Sequence, residues 1–132
     1  MKTKILFLLL IATVASVQLN AQPRANKWVL LGERLVNDRP DRDVIDVTSA
    51  RGEFSAILIK VKGASVDFHK VVVVYGNGRR QEIEMRETIA AGGSSRVIDL
   101  AGTERVIRKI EFVYDANTIR GRKAMVRVFG RR

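Results

Sequence analysis

From Trp28 to the last residue, apolar and polar positions change places over short distances, and runs rich in Val, Ile, Phe and Tyr recur between turn-forming residues at roughly ten-residue spacing. Apolar residues at i, i+3, i+4 and i+7, the mark of an amphipathic helix, are nearly absent. The pattern predicts strands over Trp28 to Val36, Val44 to Thr48, Phe54 to Lys62, Ser65 to Phe68, Lys70 to Tyr75, Gln81 to Thr88, Arg96 to Asp99, Val106 to Tyr114 and Lys123 to Phe129. Ile83 and Met85 alternate with Glu82, Glu84 and Arg86, and Ala124, Val126 and Val128 alternate with Met125 and Arg127, so each of these strands is expected to have one wet face. Phe68 and Val71 stand three apart where alternation would place them two apart, which predicts a bulge at His69-Lys70. Short strands between turn signals make an all-β fold, a single-domain antiparallel β-sandwich of about eight or nine strands.

An internal repeat sharpens the picture. Residues 59–75, IKVKGASVDFHKVVVVY, align without gaps on residues 98–114, IDLAGTERVIRKIEFVY, with Ile, Gly, Lys, Val and Tyr identical at matching places. The chain is expected to build a strand, glycine turn, strand unit twice, with the copies in comparable positions in the two halves of the sandwich. Two copies are too few for a solenoid. On this reading the turns after Tyr75 and Tyr114 lie at comparable strand ends.

The first residues change the picture of where such a domain works. MKTKILFLLLIATVASVQLNAQ sets Lys2 and Lys4 ahead of an apolar run and Ala21 before Gln22, the layout of a secretory signal peptide at residues 1–21 followed by a domain at 22–132. The run is shorter than the roughly 20 apolar residues that cross a bilayer. The chain has no cysteine, which removes disulfides, thiolate chemistry and cysteine-ligated metals. Export to a bacterial periplasm or outer surface is expected.

Charge adds a ligand class. The chain carries 24 basic and 14 acidic residues, a net charge of +10; without Lys2 and Lys4 the charge is +8, and residues 105–132 hold +7 of it. In an exported protein this suits polyanions such as lipopolysaccharide phosphates, anionic polysaccharides or acidic lipid rather than nucleic acid. Arginine forks match phosphate and carboxylate groups. Arg79 and Arg80 are therefore expected to join Arg120, Arg122 and Lys123 as an anion-binding rim at one end of the sandwich.

No catalytic, cofactor or metal signature emerges beside it. Gly76-Asn77-Gly78 with Arg79 and Arg80 has the look of a phosphate loop, but RRQEIEM continues as a strand where a helix would have to follow, and Asn77-Gly78 signals a hairpin. His69, the single histidine, shares strand parity with Asp67, as metal or acid-base partners would, but its counterpart in the repeat is Arg108, so it reads as a structural or surface residue. Asp38, Asp41, Asp43 and Asp46 lack the glycine and closing glutamate of a calcium loop and are interrupted by Arg39 and Arg42, so Asp43 is expected to pair with an arginine. Glu82, Glu84, Asp99 and Glu111 are the carboxylates from which a glycoside hydrolase would have to be built. Tyr75 and Tyr114 end matching strands and are expected in the core with their hydroxyls reaching the rim.

The segments DRDVIDV, VVVVYGNG, SRVIDLAG and IRKIEFVYD resemble a group of small exported bacterial proteins with no assigned function. The resemblance covers Trp28 to about Gly130 and implies a compact sandwich, similar to the jelly rolls of carbohydrate-binding modules, with no site residues to carry over. The expected function is non-enzymatic binding of an anionic polysaccharide, lipopolysaccharide or an envelope protein through the basic rim. The alternatives are a carboxylate-based envelope hydrolase and a structural or assembly role through edge strands.

Overall fold

The computed structural model describes residues 27–36, 42–48, 51–102, 105–115 and 123–132. The segment expected to be a signal peptide, residues 1–21, and Asp38, Asp41, Arg120 and Arg122 lie outside the described residues. Among the described residues nine strands follow in order: β1 (Trp28–Val36), β2 (Arg42–Asp46), β3 (Glu53–Phe54), β4 (Ala56–Lys62), β5 (Val66–Tyr75), β6 (Arg80–Ile89), β7 (Ile98–Asp99), β8 (Arg105–Asp115) and β9 (Ala124–Arg131).

They form two antiparallel sheets, one in the order β1-β9-β4-β7 and one in the order β2-β8-β5-β6, with β3 beside the start of β8. Setting β3 aside, every connection but the β5–β6 hairpin crosses from one sheet to the other. That alternation is the jelly-roll sandwich. The core lies between the sheets, where Ile57, Ile59, Val61, Val126 and Val128 face Phe68, Val71, Val73, Ile110 and Phe112.

Departures from the predicted strands have local causes. The predicted strand from Phe54 to Lys62 breaks at Ser55, because Phe54 pairs with Arg105 in one sheet while Ala56 pairs with Arg131 in the other. The last predicted strand before β8 shrinks to Ile98–Asp99, since upstream the Ser95 hydroxyl rather than the backbone ladder accepts from the Ile59 amide at 2.9 Å. The strand predicted to start at Val44 starts two residues earlier, at Arg42, opposite Val113.

The repeat has a definite geometry. β5 and β8 are antiparallel neighbours, with Val72 opposite Glu111, its own equivalent in the repeat. The pair is thus two-fold symmetric about that point, and its irregularities obey the symmetry. Between Phe68↔Tyr114 and Lys70↔Val113 the residue His69 is skipped, and between Tyr75↔Ile107 and Val74↔Lys109 the residue Arg108 is skipped. The bulge predicted at His69 is present, and it has a twin at Arg108.

Candidate functional site

Arg79 and Arg80 follow a tight hairpin. The Gly78 amide donates to the Tyr75 carbonyl at 2.9 Å, the Tyr75 amide to the Arg79 carbonyl at 2.8 Å, and the Asn77 side chain accepts from the Arg79 amide at 3.0 Å. Gly78 adopts φ +88°, the left-handed residue that closes a three-residue hairpin loop. β6 follows directly, so no helix terminus points at an anion.

The expected gathering of Arg79 and Arg80 with Lys123 does not occur. Antiparallel pairing of the two copies sets Tyr75 opposite Ile107 and Phe68 opposite Tyr114, so the matching tyrosines sit at opposite ends of the sandwich. Lys123 stands at the far end, beside Gly63, with the following Ala124 opposite Val36.

A different set of arginines surrounds the Arg79 turn. The Gly76 amide donates to the Val106 carbonyl at 2.9 Å, which ties the turn to the start of β8. There the Arg105 guanidinium lies 3.8 Å from the Tyr75 ring centre and donates to the Ala101 carbonyl at 2.9 Å. Phe54, opposite Arg105, carries the Arg132 guanidinium over its ring, and Arg132 donates to the Arg51 carbonyl at 2.7 Å. Arg108, displaced at its bulge, is exposed on the same end. Among the described residues Arg80 pairs with Glu111 and Arg131 with Asp99, whereas Arg51, Arg79, Arg105, Arg108 and Arg132 pair with no carboxylate. The acids nearby are few: Glu53 and Asp46 are exposed on β3 and β2, the latter opposite Lys109. Backbone carbonyls and aromatic rings hold two of these guanidinium groups in place, so their charge is fixed in position without being neutralised.

Among the described residues two titratable groups are shifted, Glu111 at the centre of the β5–β8 pair and Tyr75 at this end. Glu111, only 9% exposed, accepts from Arg80 at 2.9 Å and lies 3.5 Å from Lys109. The Arg80 hydrogen bond, opposed by burial, holds its carboxyl below the ordinary glutamate value. The Tyr75 hydroxyl is pushed above its ordinary value by burial, against the lowering effect of Arg105. It donates to Gln81, whose side chain also accepts from the Ala101 amide at 2.9 Å.

Other sequence candidates resolve individually. Asp43 accepts from Arg34 at 3.1 Å and from the Tyr114 hydroxyl at 2.8 Å, so the expected arginine pair forms. Both tyrosines are buried with bonded hydroxyls, as expected. Glu82 lies beside Lys70, Glu84 beside Arg86 and Asp99 beside Arg131. The half-buried Trp28 lies under the Arg131 guanidinium, 5.5 Å from the ring centre. His69 joins Asp67 and Asp115, with one ligand-type atom from each within 4.8 Å of the others.

Sequence reasoning missed Arg51, Arg105, Arg108 and Arg132 at the Arg79 end and Asp115 beside His69. The repeat carried a signal for three of them. Neighbouring copies in an antiparallel sheet run head to tail, which sets the end of the first copy against the start of the second and brings Arg105 and Arg108 to Tyr75. The same two-fold relation brings Asp115 opposite Asp67.

The chain belongs to the DUF2541 family, a domain of unknown function whose model matches residues 5–130. No curated protein matches it. Among solved structures, one from the structural and functional characterization of Pseudomonas aeruginosa AlgX is similar, with a TM-score of 0.48 and 21% identity, over 77% of this chain and 26% of that one. The present chain therefore spans about a quarter of that structure's length.

Proposed function

We propose that this domain is an exported, non-enzymatic binding module that takes an anionic envelope component, such as a phosphate- or carboxylate-bearing polysaccharide or lipopolysaccharide, at its arginine-rich end. The observation that carries the reading is the convergence of Arg51, Arg79, Arg105, Arg108 and Arg132 from separate chain segments, none paired with a carboxylate among the described residues. Packing does not require unneutralised charge to collect in this way, and like charges at close quarters repel unless a counter-charge comes between them. A multivalent polyanion supplies that counter-charge.

The carboxylates offer less. Glu82, Glu84, Asp99 and Glu111 are each next to a cation, and Glu111 is shifted downward, whereas the acid of a glycoside hydrolase needs an upward shift to keep its proton. This supports the non-enzymatic reading.

The test compares two charge-matched triple variants on immobilised heparin and on lipopolysaccharide vesicles, across a salt gradient. Arg79→Ala with Arg105→Ala and Arg108→Ala removes the rim, while Lys60→Ala with Lys62→Ala and Lys123→Ala removes as much charge elsewhere. The rim variant is expected to elute at clearly lower salt and the control close to the parent protein, because binding through fixed cations is screened steeply by salt. Equal losses in the two variants would reduce the effect to net charge and overturn the proposal, as would unchanged retention of the rim variant.

A further inference from the structure

We propose that Asp67, His69 and Asp115, at the end of the sandwich opposite the arginines, form a binding site for a first-row divalent cation of the Zn2+ type. The three ligand-type atoms lie within 4.8 Å of one another. Donors bound about 2.1 Å from one shared ion stand at most about 4.2 Å apart, so small side-chain rotations close the set. Imidazole with two carboxylates is a ligand mixture suited to Zn2+ and its neighbours rather than to Ca2+ or Mg2+, which prefer all-oxygen shells.

Backbone geometry brings the three together. Asp67 and Asp115 are direct cross-strand partners in the β5–β8 pair. A dication held between them would link the two strands. His69 is the bulged residue, without a cross-strand partner in either neighbouring strand, and the bulge leaves its ring at the aspartate pair. The Thr88 hydroxyl donates to Asp67 Oδ1 at 3.1 Å, an outer contact that orients a ligating carboxylate.

The two-fold symmetry of β5 and β8 supplies an internal control. At the equivalent place stand Val106, Arg108 and Gly76, where the Gly76 amide donates to the Val106 carbonyl beside the same bulge. The fold builds this corner without any acid or imidazole. The sheet geometry itself therefore does not require the three ligand-type residues.

The experiment uses the untagged chain, in which His69 is the only histidine. After dialysis against chelator, Zn2+ is titrated by calorimetry while the single histidine ring resonance is followed by NMR. One ion per chain is expected, with the ring resonance moving in step. His69→Arg copies the residue that the twin bulge already accommodates, so it is expected to melt like the parent protein while losing at least about tenfold in Zn2+ affinity, as loss of even an outer-shell partner does. Asp67→Asn and Asp115→Asn are expected to weaken binding similarly. Absence of stoichiometric uptake, a stationary ring resonance on binding, or undiminished affinity in His69→Arg would each overturn the site.

Discussion

Arg80 reaches across β5 to Glu111, placing Nη2 2.9 Å from Oε2 and roofing the outer face of the strand between them. Val74, opposite both Arg80 and Lys109, and Val72, opposite Glu111, point away from the core, yet they are 4% and 3% exposed. The charged side chains cover them with their aliphatic stems. Arg80→Ala is thus expected to cost more than an exposed ion pair, about 1–2 kcal/mol, and Arg80→Met less, because the methionine still covers the valines. Urea unfolding of both variants checks the order.

The same contact sets the acid behaviour. A carboxyl whose folded-state ionisation lies below its unfolded value stabilises the fold above the unfolded value, and that stability disappears as pH falls through the folded value. Glu111 is such a group, with Arg80 as the first cause. The parent protein is therefore expected to lose stability more steeply than Glu111→Gln below the ordinary glutamate range, as measured by urea midpoints between about pH 6 and pH 2. Parallel curves would assign the acid sensitivity to other carboxylates.

Strand identity was legible because alternation of apolar and polar residues survives in β6 and β9, and even the bulge at His69 left its mark in the spacing of Phe68 and Val71. Sheet membership was not. Nothing local distinguishes Phe54 from Ala56, yet the chain changes sheets between them at Ser55, which accepts from the Leu100 amide at 2.9 Å. The expected gathering of Arg79 and Arg80 with Lys123 failed for a related reason. Repeat alignment gives equivalence but not direction, and only the antiparallel pairing of the copies reveals that Tyr75 and Tyr114 point to opposite ends.

Two glycines separate packing from backbone freedom. A Cβ on Gly130 would stand 2.6 Å from the fully buried Phe54 ring, whereas one on Gly78 meets nothing within 4 Å but sits at φ +88°. Gly130→Ala is expected to cost about 1–3 kcal/mol through overpacking. Gly78→Ala is expected to cost about 1 kcal/mol through backbone strain. Trimming the ring with Phe54→Leu should partly rescue the first variant and leave the second unchanged, and a double-mutant cycle in urea measures the difference. Equal rescue of both would show that the Phe54 contact is not the cause.

The alkaline limit is expected to lie with Tyr75. Its hydroxyl is buried against Gln81 under the Arg105 guanidinium, and burial outweighs the cation in raising its ionisation above the ordinary value. A group that keeps its proton more firmly when folded contributes stability that is complete below the unfolded value and is lost as pH rises through the folded one. Tyr75→Phe removes both the titration and the hydrogen bond, but the Gln81 carbonyl oxygen keeps its bond from the Ala101 amide, so the cost near neutrality is expected to be only about 1 kcal/mol. Above about pH 10 the difference should shrink, because the unfolded parent ionises a phenol that the folded state holds protonated and that the variant lacks. Ultraviolet titration of phenolate alongside thermal melts follows both events, and a constant gap between the two proteins across that range would show that Tyr75 does not set the limit.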